Sequence, residues 1–303
     1  MRRGPFVHGG RTLRAIMAEV LVALAPAAAA AVFRYGVPAA LLIGASVAAA
    51  FLAESLWTRR PATDGSALVT GAIFALVLPA NAPLWVALAG GAGAIVFGKQ
   101  LFGGLGKNPM NPAALARAVL MGLAPACFFA PAWPFDGIAQ ASPLGKEMGS
   151  AAFGLADLAL GRHAGSLGEA SPFAVLLGGG FLLLRRTMDW RVPLAFLAAV
   201  AALALSLPPG GRMAGHAAWL EANPLAQILS GGTLVAAFFM LTDPVGSPFF
   251  PSGRVVAAVL AATYMMIARY YTPYPDGAAL AVLLANAASP LIDRLSVGRA
   301  AFR

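Results

Sequence analysis

The sequence predicts an all-α integral membrane protein, with about ten transmembrane helices in an inverted 5+5 repeat and both termini in the cytoplasm. Of its 303 residues, 59% are hydrophobic and only 11% are charged, whereas soluble domains carry about 25% charged residues. The mean hydropathy is +0.77. Such a composition excludes soluble globular and disordered chains. One cysteine also excludes a disulfide framework and an iron–sulfur cluster held by this chain alone.

Ten apolar runs account for the predicted helices, because about 20 apolar residues are enough for a helix to cross a bilayer. They cover approximately residues 15–33, 36–57, 65–80, 83–103, 111–132, 172–185, 191–208, 224–242, 254–271 and 275–292. Several runs, notably the third, fifth and eighth, are short or interrupted by glycine and proline. Broken helices persist in a membrane only where protein or a cavity satisfies the freed backbone groups.

The basic residues indicate the orientation of these helices. The chain has 21 lysines and arginines and a net charge of +9, and most of the basic residues precede or follow apolar runs on one predicted side. By the positive-inside rule that side is the cytoplasm. The long segment 133–170 and the segment 209–223 are then outside. Because the charge follows topology, it does not indicate a nucleic-acid partner.

Three short motifs recur after 165 to 167 residues. Ser66-Ala-Leu-Val parallels Thr233-Leu-Val-Ala, Leu78-Pro parallels Asp243-Pro, and Asn111-Pro-Ala-Ala-Leu parallels Asp276-Gly-Ala-Ala-Leu. Five predicted helices separate equivalent motifs, so the two copies would face opposite ways, as in inverted repeats that surround a central site. The predicted division is 12–132, the outer segment 133–170, and 171–296. Chance similarity of alanine-rich helices is the alternative.

The outer segment contains Asp136-Gly-Ile-Ala-Gln-Ala-Ser142. An aspartate six residues before a hydroxyl residue has the spacing of a covalent flavinylation site. There the hydroxyl oxygen attacks the phosphate chain of FAD and retains FMN as a phosphodiester. An ordinary Asp-Gly turn explains the same string without a flavin.

A series of motifs in fixed order carries a resemblance to a known family. They are Arg14-Ala-Ile-Met-Ala-Glu-Val, Asp64-Gly-Ser-Ala-Leu-Val-Thr-Gly, Gly98-Lys-Gln, Gly103-Gly-Leu-Gly-Lys-Asn-Pro-Met-Asn-Pro-Ala, Gly165-Ser-Leu-Gly-Glu-Ala-Ser, Asp189-Trp-Arg, Thr242-Asp-Pro and Tyr274-Pro-Asp-Gly. From about residue 12 to 296 the chain resembles the D subunits of Rnf ferredoxin:NAD⁺ oxidoreductase complexes. It is similar, more distantly, to the B subunits of Na⁺-translocating NADH:quinone oxidoreductases.

The resemblance implies that FMN is carried on the outer segment. Asp136 and Ala141 match the family's flavinylation string. Ser142 stands where the family has threonine, and Ala139 and Gln140 replace a hydroxyl residue and a glycine. The resemblance also implies FMN contacts from the Gly-rich turn at Gly168, Glu169 and Ser171. Ser171 is further predicted to cap a helix that starts at Pro172.

A second group of polar residues lies at or near the predicted membrane depth. In the related B subunits this region holds a riboflavin and an ion path. The candidates for a second flavin or an ion path are Asp64, Ser66, Asn108, Asn111, Thr242 and Asp243. Asn111 is also expected to cap the helix beginning at Pro112. Glu19 and Glu54 are interpreted as helix-end carboxylates paired with arginines, for example Glu54 with Arg59 or Arg60.

The hypothesis is therefore a multi-pass subunit of the bacterial inner membrane. It would relay electrons between ferredoxin and NAD⁺ in a complex that moves Na⁺ or H⁺. Its expected partners are the lipid bilayer, a flavin transferase, and membrane, iron–sulfur and periplasmic flavoprotein subunits. The chain alone is not expected to be catalytic, and no metal site is expected. Two alternatives stay open: a channel or permease with a fold like that of urea transporters, and a structural subunit without flavin.

Overall fold

A computed structural model describes residues 11–129, 154–207, 223–272 and 276–300. Every regular element in these ranges is helical, which confirms the all-α class. The α-helices are α1 (Leu13–Tyr35), α2 (Val37–Thr58), α3 (Ser66–Leu76), α4 (Leu84–Gly98), α5 (Pro112–Leu123), α6 (Ala126–Phe129), α7 (Leu155–Ala159), α8 (Pro172–Leu184), α9 (Arg191–Ser206), α10 (Pro224–Leu229), α11 (Thr233–Val235), α12 (Pro251–Tyr271) and α13 (Ala278–Ala300). A π-helical turn, Ala236–Met240, continues α11.

Within the described ranges, five helices are long and apolar enough to cross a membrane. They are α1, α2, α4 with its following turn, α12 and the part of α13 up to Ser296. Helices α3, α5, α8 and α9 are apolar but shorter. Length and composition thus agree with a membrane protein. The predicted count of ten crossings and the orientation of the termini stay predictions.

Two of the predicted crossings are much shorter or more broken than their apolar runs. Helix α3 has 11 residues, so at 1.5 Å per residue it spans roughly half of a hydrocarbon core of about 30 Å. The run 224–242 divides into α10 and α11, with residues 230–232 between them. Helix α3 and the broken pair of α10 and α11 therefore have ends inside the protein, where the backbone groups need partners.

Small residues allow the helices to approach closely. The Ser46 hydroxyl on α2 donates to the Gly71 carbonyl of α3 at 2.7 Å, and a Cβ at Gly91 of α4 would lie 2.4 Å from the Ser46 carbonyl oxygen. A Cβ at Gly178 of α8 would lie 1.9 Å from the Ala23 carbonyl oxygen of α1. Close backbone packing of this kind holds helices together in a bilayer, where apolar burial between them contributes little.

The part of the chain before residue 130 packs against the part after residue 153 along two seams. Helix α1 contacts α8, and α5 contacts α13. Inside each part the helices pack in a similar manner, since α2 contacts both α3 and α4, and α9 contacts α12, which contacts α13. The space between the seams contains the polar residues described below.

Gly178→Ala is expected to destabilise the protein, because the new methyl group overlaps the α1 backbone at Ala23. Overpacking of this kind costs about 1–3 kcal/mol. Gly180→Ala is the matched control in the same helix, since a Cβ there meets no atom within 4 Å. Thermal unfolding of the detergent-solubilised protein measures the difference. Equal midpoints for the two variants would contradict the close α1–α8 contact.

Candidate functional site: a polar cleft beside short helices

A cleft opens among α1, α3, α5, α8 and the segment that follows α11. It contains about 860 Å³ of space not filled by protein atoms, its open mouth included. Its polar lining consists of Ser66, Thr70, Lys99, Asn108, Asn111, Thr187, Thr242 and Asp243. Its apolar lining includes Ile16, Val20, Val69, Ile73, Leu182, Phe238 and Phe239. Apolar walls with a few convergent polar groups are typical of small-molecule sites.

The cleft gathers most of the residues that the sequence nominates for a second flavin or an ion path. Ser66, Asn108, Asn111, Thr242 and Asp243 all line it. Asp64 lies one contact behind them: its Oδ1 accepts the Ser66 backbone N–H at 2.9 Å and the Ser66 hydroxyl at 2.7 Å. Residues from distant parts of the chain thus share one cavity. Its occupant stays a prediction.

Two of the lining side chains have an acceptor atom with hydrogen-bonding capacity left. Asn108 is 4% exposed, and its Nδ2 donates to the Met110 carbonyl at 3.2 Å. Its Oδ1 is buried and has no hydrogen-bond partner among the described residues. The Thr242 hydroxyl donates to the Phe238 carbonyl at 2.7 Å, so its oxygen can still accept a hydrogen bond.

Lys99 forms a buried ion pair at the start of α3. Its Nζ lies 2.7 Å from Glu54 Oε1 and 2.8 Å from Oε2, and it also donates to the Ser66 hydroxyl. The side chains of Lys99 and Glu54 are 2% and 7% exposed. These three contacts offset the free energy that is needed to remove the ammonium group from water. An isolated buried charge would have no such compensation.

The sequence-based pairing of Glu54 with Arg59 or Arg60 is wrong. Arg59 ends α2 in the left-handed conformation, with φ 54°, and both arginines are exposed. The chain therefore turns away from the face of α2 that carries Glu54. Helix α4 packs against α2 instead and supplies Lys99.

The interpretation of Glu19 as an arginine-paired carboxylate is confirmed. Arg185 Nη2 lies 2.6 Å from Glu19 Oε1, and Arg11 Nη1 lies 3.6 Å from Oε2. The Thr187 hydroxyl also donates to Glu19. These contacts join the beginning of α1 to the end of α8, next to the cleft.

Arg269 is a second buried cation, located at the break between α10 and α11. Its Nη1 donates to the Gln227 carbonyl at 2.7 Å, and its Nη2 donates to the Ser230 carbonyl at 3.0 Å and to the Thr233 hydroxyl at 2.7 Å. The last carbonyls of a helix have no partner within it. Arg269 satisfies those that the break releases.

Two carboxylates satisfy the backbone N–H groups on the other side of the break. Glu169 Oε2 accepts from the Gly231 N–H at 2.8 Å, and Asp276 Oδ1 accepts from the Gly232 N–H at 3.3 Å. Arg117 of α5 pairs with Asp276 Oδ2 at 2.7 Å. Carboxylates are favourable at this position because the start of a helix carries a partial positive charge.

The residues predicted to contact FMN from the Gly-rich turn form contacts within the protein. Ser171 caps α8, with Ala174 N–H donating to its hydroxyl at 3.2 Å, which confirms the predicted helix start. Glu169 Oε1 accepts from the Ser166 N–H and hydroxyl. A Cβ at Gly168 would lie 2.9 Å from the Leu76 carbonyl oxygen, so this glycine permits close packing on α3. Their contact with FMN stays a prediction.

The predicted flavinylation string lies outside the described residues. Asp136, Ala141 and Ser142 all fall between 129 and 154, so covalent attachment stays a prediction. No group of three or more histidine, cysteine, aspartate or glutamate residues that could hold a metal occurs in the ranges described above.

Asn111 caps α5 as predicted, and it also joins α5 to the last helix. Ala114 N–H donates to Asn111 Oδ1 at 3.1 Å, while the Asn111 N–H donates to Asn286 Oδ1 at 2.9 Å. Asn286 Nδ2 donates to the Gly246 carbonyl at 2.9 Å. The sequence analysis did not select Asn286 as a site residue, nor Lys99, Arg117 and Arg269. For Lys99, Arg117 and Arg269, the sequence signal that could have identified them is a basic residue within or at the end of an apolar run.

Together, the helices and the cleft define a polytopic helical membrane protein with a polar cavity beside short, broken helices. The chain belongs to the NQR2, RnfD, RnfE family, whose profile matches residues 1–301.

Named relatives match almost the whole chain. It is 35% identical to the D subunit of the Na⁺-translocating ferredoxin:NAD⁺ oxidoreductase complex of Acetobacterium woodii, over 97% of this chain and 92% of that protein. It is 37% identical to the D subunit of the ion-translocating oxidoreductase complex of Stutzerimonas stutzeri, over 94% and 91%. It is 35% identical to the protein of the same name from Halorhodospira halophila, over 96% and 92%.

Lys99→Met and Glu54→Gln are each expected to destabilise the protein by about 3–5 kcal/mol, because each leaves one buried polar or charged partner without its counterpart. The double variant Lys99→Met/Glu54→Gln is expected to lose less than the sum of the single losses, because it leaves no unpaired charge. Thermal or denaturant unfolding of all three proteins in the same detergent measures this coupling. Strictly additive losses would contradict a buried pair.

Proposed function

We propose that this chain is the flavin-carrying membrane subunit of an Rnf-type complex in the bacterial inner membrane. In that complex, electron transfer between ferredoxin and NAD⁺ drives Na⁺ or H⁺ across the membrane. Family membership over residues 1–301 is the observation that carries this proposal. The names of the relatives, each the D subunit of an oxidoreductase complex that translocates ions, agree with it.

The first flavin of this proposal is FMN bound covalently to Ser142. The serine hydroxyl would form a phosphodiester with the FMN half of FAD, giving up its proton, as the bond between the two phosphates breaks and AMP leaves. A serine hydroxyl is chemically equivalent to threonine in this reaction, so the substitution from the family pattern does not prevent it. A flavin transferase would be needed to supply and orient the FAD.

The second flavin of this proposal, a riboflavin, occupies the cleft. A flavin supplies electron transfer in one-electron or two-electron steps. The chain would contribute the binding: Asn108 Oδ1 is a buried acceptor without a partner among the described residues, suited to a ring N–H or a hydroxyl. Phe238 and Phe239 line the cavity with aromatic surface, which excludes water from a planar ring. These apolar walls and hydrogen-bond acceptors support a flavin ring as the occupant of the cleft.

The ion path of the proposal involves the charged groups at the same place. Asp243 and Lys99 both line the cleft. Lys99 also forms an ion pair with Glu54. Ionisable groups at membrane depth are costly and by default indicate functional positions.

The remaining chemistry would come from partner subunits. With a single cysteine, this chain cannot hold an iron–sulfur cluster with four thiolates. Membrane, iron–sulfur and periplasmic flavoprotein subunits would donate and accept the electrons. The chain alone would be a relay within a redox-driven translocase and would have no catalytic activity of its own.

Two other functions predict different results for the purified protein. A channel or permease would hold no flavin and would conduct a solute when reconstituted by itself. A structural subunit would assemble into an intact complex without flavin. Flavin content and solute flux of the purified protein distinguish all three.

Ser142→Ala tests the covalent flavin. When the chain is expressed with a flavin transferase and separated in a denaturing gel, the wild-type band is expected to fluoresce under ultraviolet light. The Ser142→Ala band is expected to be dark, because the alanine has no oxygen with which to form the phosphodiester. A Ser247→Ala control should keep the fluorescence. A dark wild-type band would contradict covalent attachment.

Thr242→Phe tests the flavin in the cleft. The ring of the new phenylalanine would fill the cavity, so flavin extractable by acid is expected to fall at least about tenfold. Thr263→Phe is the matched control, because Thr263 also donates to the carbonyl four residues earlier but lies outside the cleft. Extracted flavin is measured by chromatography. Unchanged flavin in Thr242→Phe would refute binding at this place.

A further inference from the structure

The end of α1 contains a group of hydrogen-bond donors that the mechanism proposed above does not use. Tyr35 is 8% exposed, and its hydroxyl lies beside the Arg34 side chain. The Tyr35 hydroxyl makes no hydrogen bond of good geometry to a described residue. The same is true of two buried guanidinium nitrogens of Arg34, Nε and Nη2. A buried donor without an acceptor is unfavourable, and more so when it is charged. Arg34 and Tyr35 interact with each other, but both side chains are donors, so their remaining hydrogens indicate a missing acceptor.

The charges around these donors favour an anion as that acceptor. Arg162 lies close enough to Arg34 for their positive charges to repel each other. Glu169 is the acidic group near Tyr35, but its two carboxylate oxygens already accept from Ser166 and Gly231. Its charge is also close to that of buried Arg269. Glu169 is thus committed elsewhere, and the two arginines retain an excess of positive charge.

We infer that Arg34, Tyr35 and Arg162 form a binding site for a phosphate ester. A guanidinium group presents parallel N–H donors that match two phosphate oxygens. Arg34 would donate from Nε and Nη2 to one phosphate, Tyr35 would donate its hydroxyl, and Arg162 would add charge from the exposed side. A phosphate supplies enough oxygens for all these donors.

Two sources carry this chemistry, a phospholipid headgroup and the phosphodiester of a protein-bound FMN. The lipid source agrees with the apolar surface next to the site, where Phe33 is 94% and Val37 70% exposed. The flavin source rests on the function proposed above. It agrees with the position of Arg162 and Glu169, which belong to the described segment that follows Ser142 in the chain. Both sources place a phosphate diester at the same three side chains.

The lipid arm of the test uses the full chain expressed without a flavin transferase. Retention of phosphatidylglycerol, with phosphatidylcholine as reference, is measured by native mass spectrometry. If the site binds a lipid, Arg34→Gln and Arg162→Gln each lower the apparent affinity for phosphatidylglycerol about tenfold, the loss of one charge-assisted hydrogen bond. Arg14→Gln, at the opposite end of α1, is the matched control and leaves the affinity unchanged.

The flavin arm uses the same variants expressed with the transferase. Denaturing-gel fluorescence reports attachment, and fluorescence anisotropy of the native protein reports whether the bound flavin is held. If the site binds the flavin phosphate, Arg34→Gln and Tyr35→Phe keep the fluorescent band but lower the anisotropy. Because Arg162 is exposed, Arg162→Gln keeps the fold and provides the same readout should Arg34→Gln fail to fold.

The two arms separate this inference from the proposed function. A dark wild-type band refutes covalent FMN, while the lipid arm still tests the phosphate site. A fluorescent wild-type band with unchanged anisotropy and unchanged lipid affinity in the Arg34, Tyr35 and Arg162 variants overturns the phosphate site and leaves the flavin in place. A change in either arm that Arg14→Gln does not share supports the site and identifies its source.

Discussion

Burial of two cations at the starts of short helices is the constraint on which the rest of the structure depends. Lys99 donates to Ser66, the first residue of α3, and Arg269 donates to Thr233, the first residue of α11. Neither cation could be buried alone, so each requires acceptors close by. The resulting contacts hold the two short helices in place. Ser66 and Thr233 are equivalent in the predicted inverted repeat, whereas Lys99 and Arg269 do not share the offset of the repeated motifs. The repeat itself stays a prediction.

Helix α10 and helix α11 are separated by a break whose backbone groups are satisfied by side chains. Backbone groups released by a break must be satisfied within the protein. Arg269 satisfies the carbonyls of α10, and Glu169 and Asp276 satisfy the N–H groups before α11. Because side chains perform this task, the backbone can turn between α10 and α11 inside the protein. The cleft lies beside the segment that follows α11, where polar residues from distant parts of the chain meet.

The features that the sequence predicted best are the local ones. The bounds of α1 and α2 follow from continuous apolar runs, and the caps at Asn111 and Ser171 follow from a polar residue before a proline. The sequence also nominated most of the polar lining of the cleft. It did not predict that α3 stops at Leu76 or that Glu54 pairs with Lys99. The ion pair joins helices 45 positions apart in the chain, a relation that neither hydropathy nor local spacing contains.

The contacts between α5 and α13 have a consequence for how the protein is made. Asn286 of α13 accepts the Asn111 N–H at the start of α5, and Arg117 of α5 pairs with Asp276 just before α13. During synthesis, α5 enters the membrane long before α13 leaves the ribosome. Until then the Arg117 charge and the Asn111 amide lack these partners. The last helix therefore completes the hydrogen bonding and charge pairing of a helix made much earlier in synthesis.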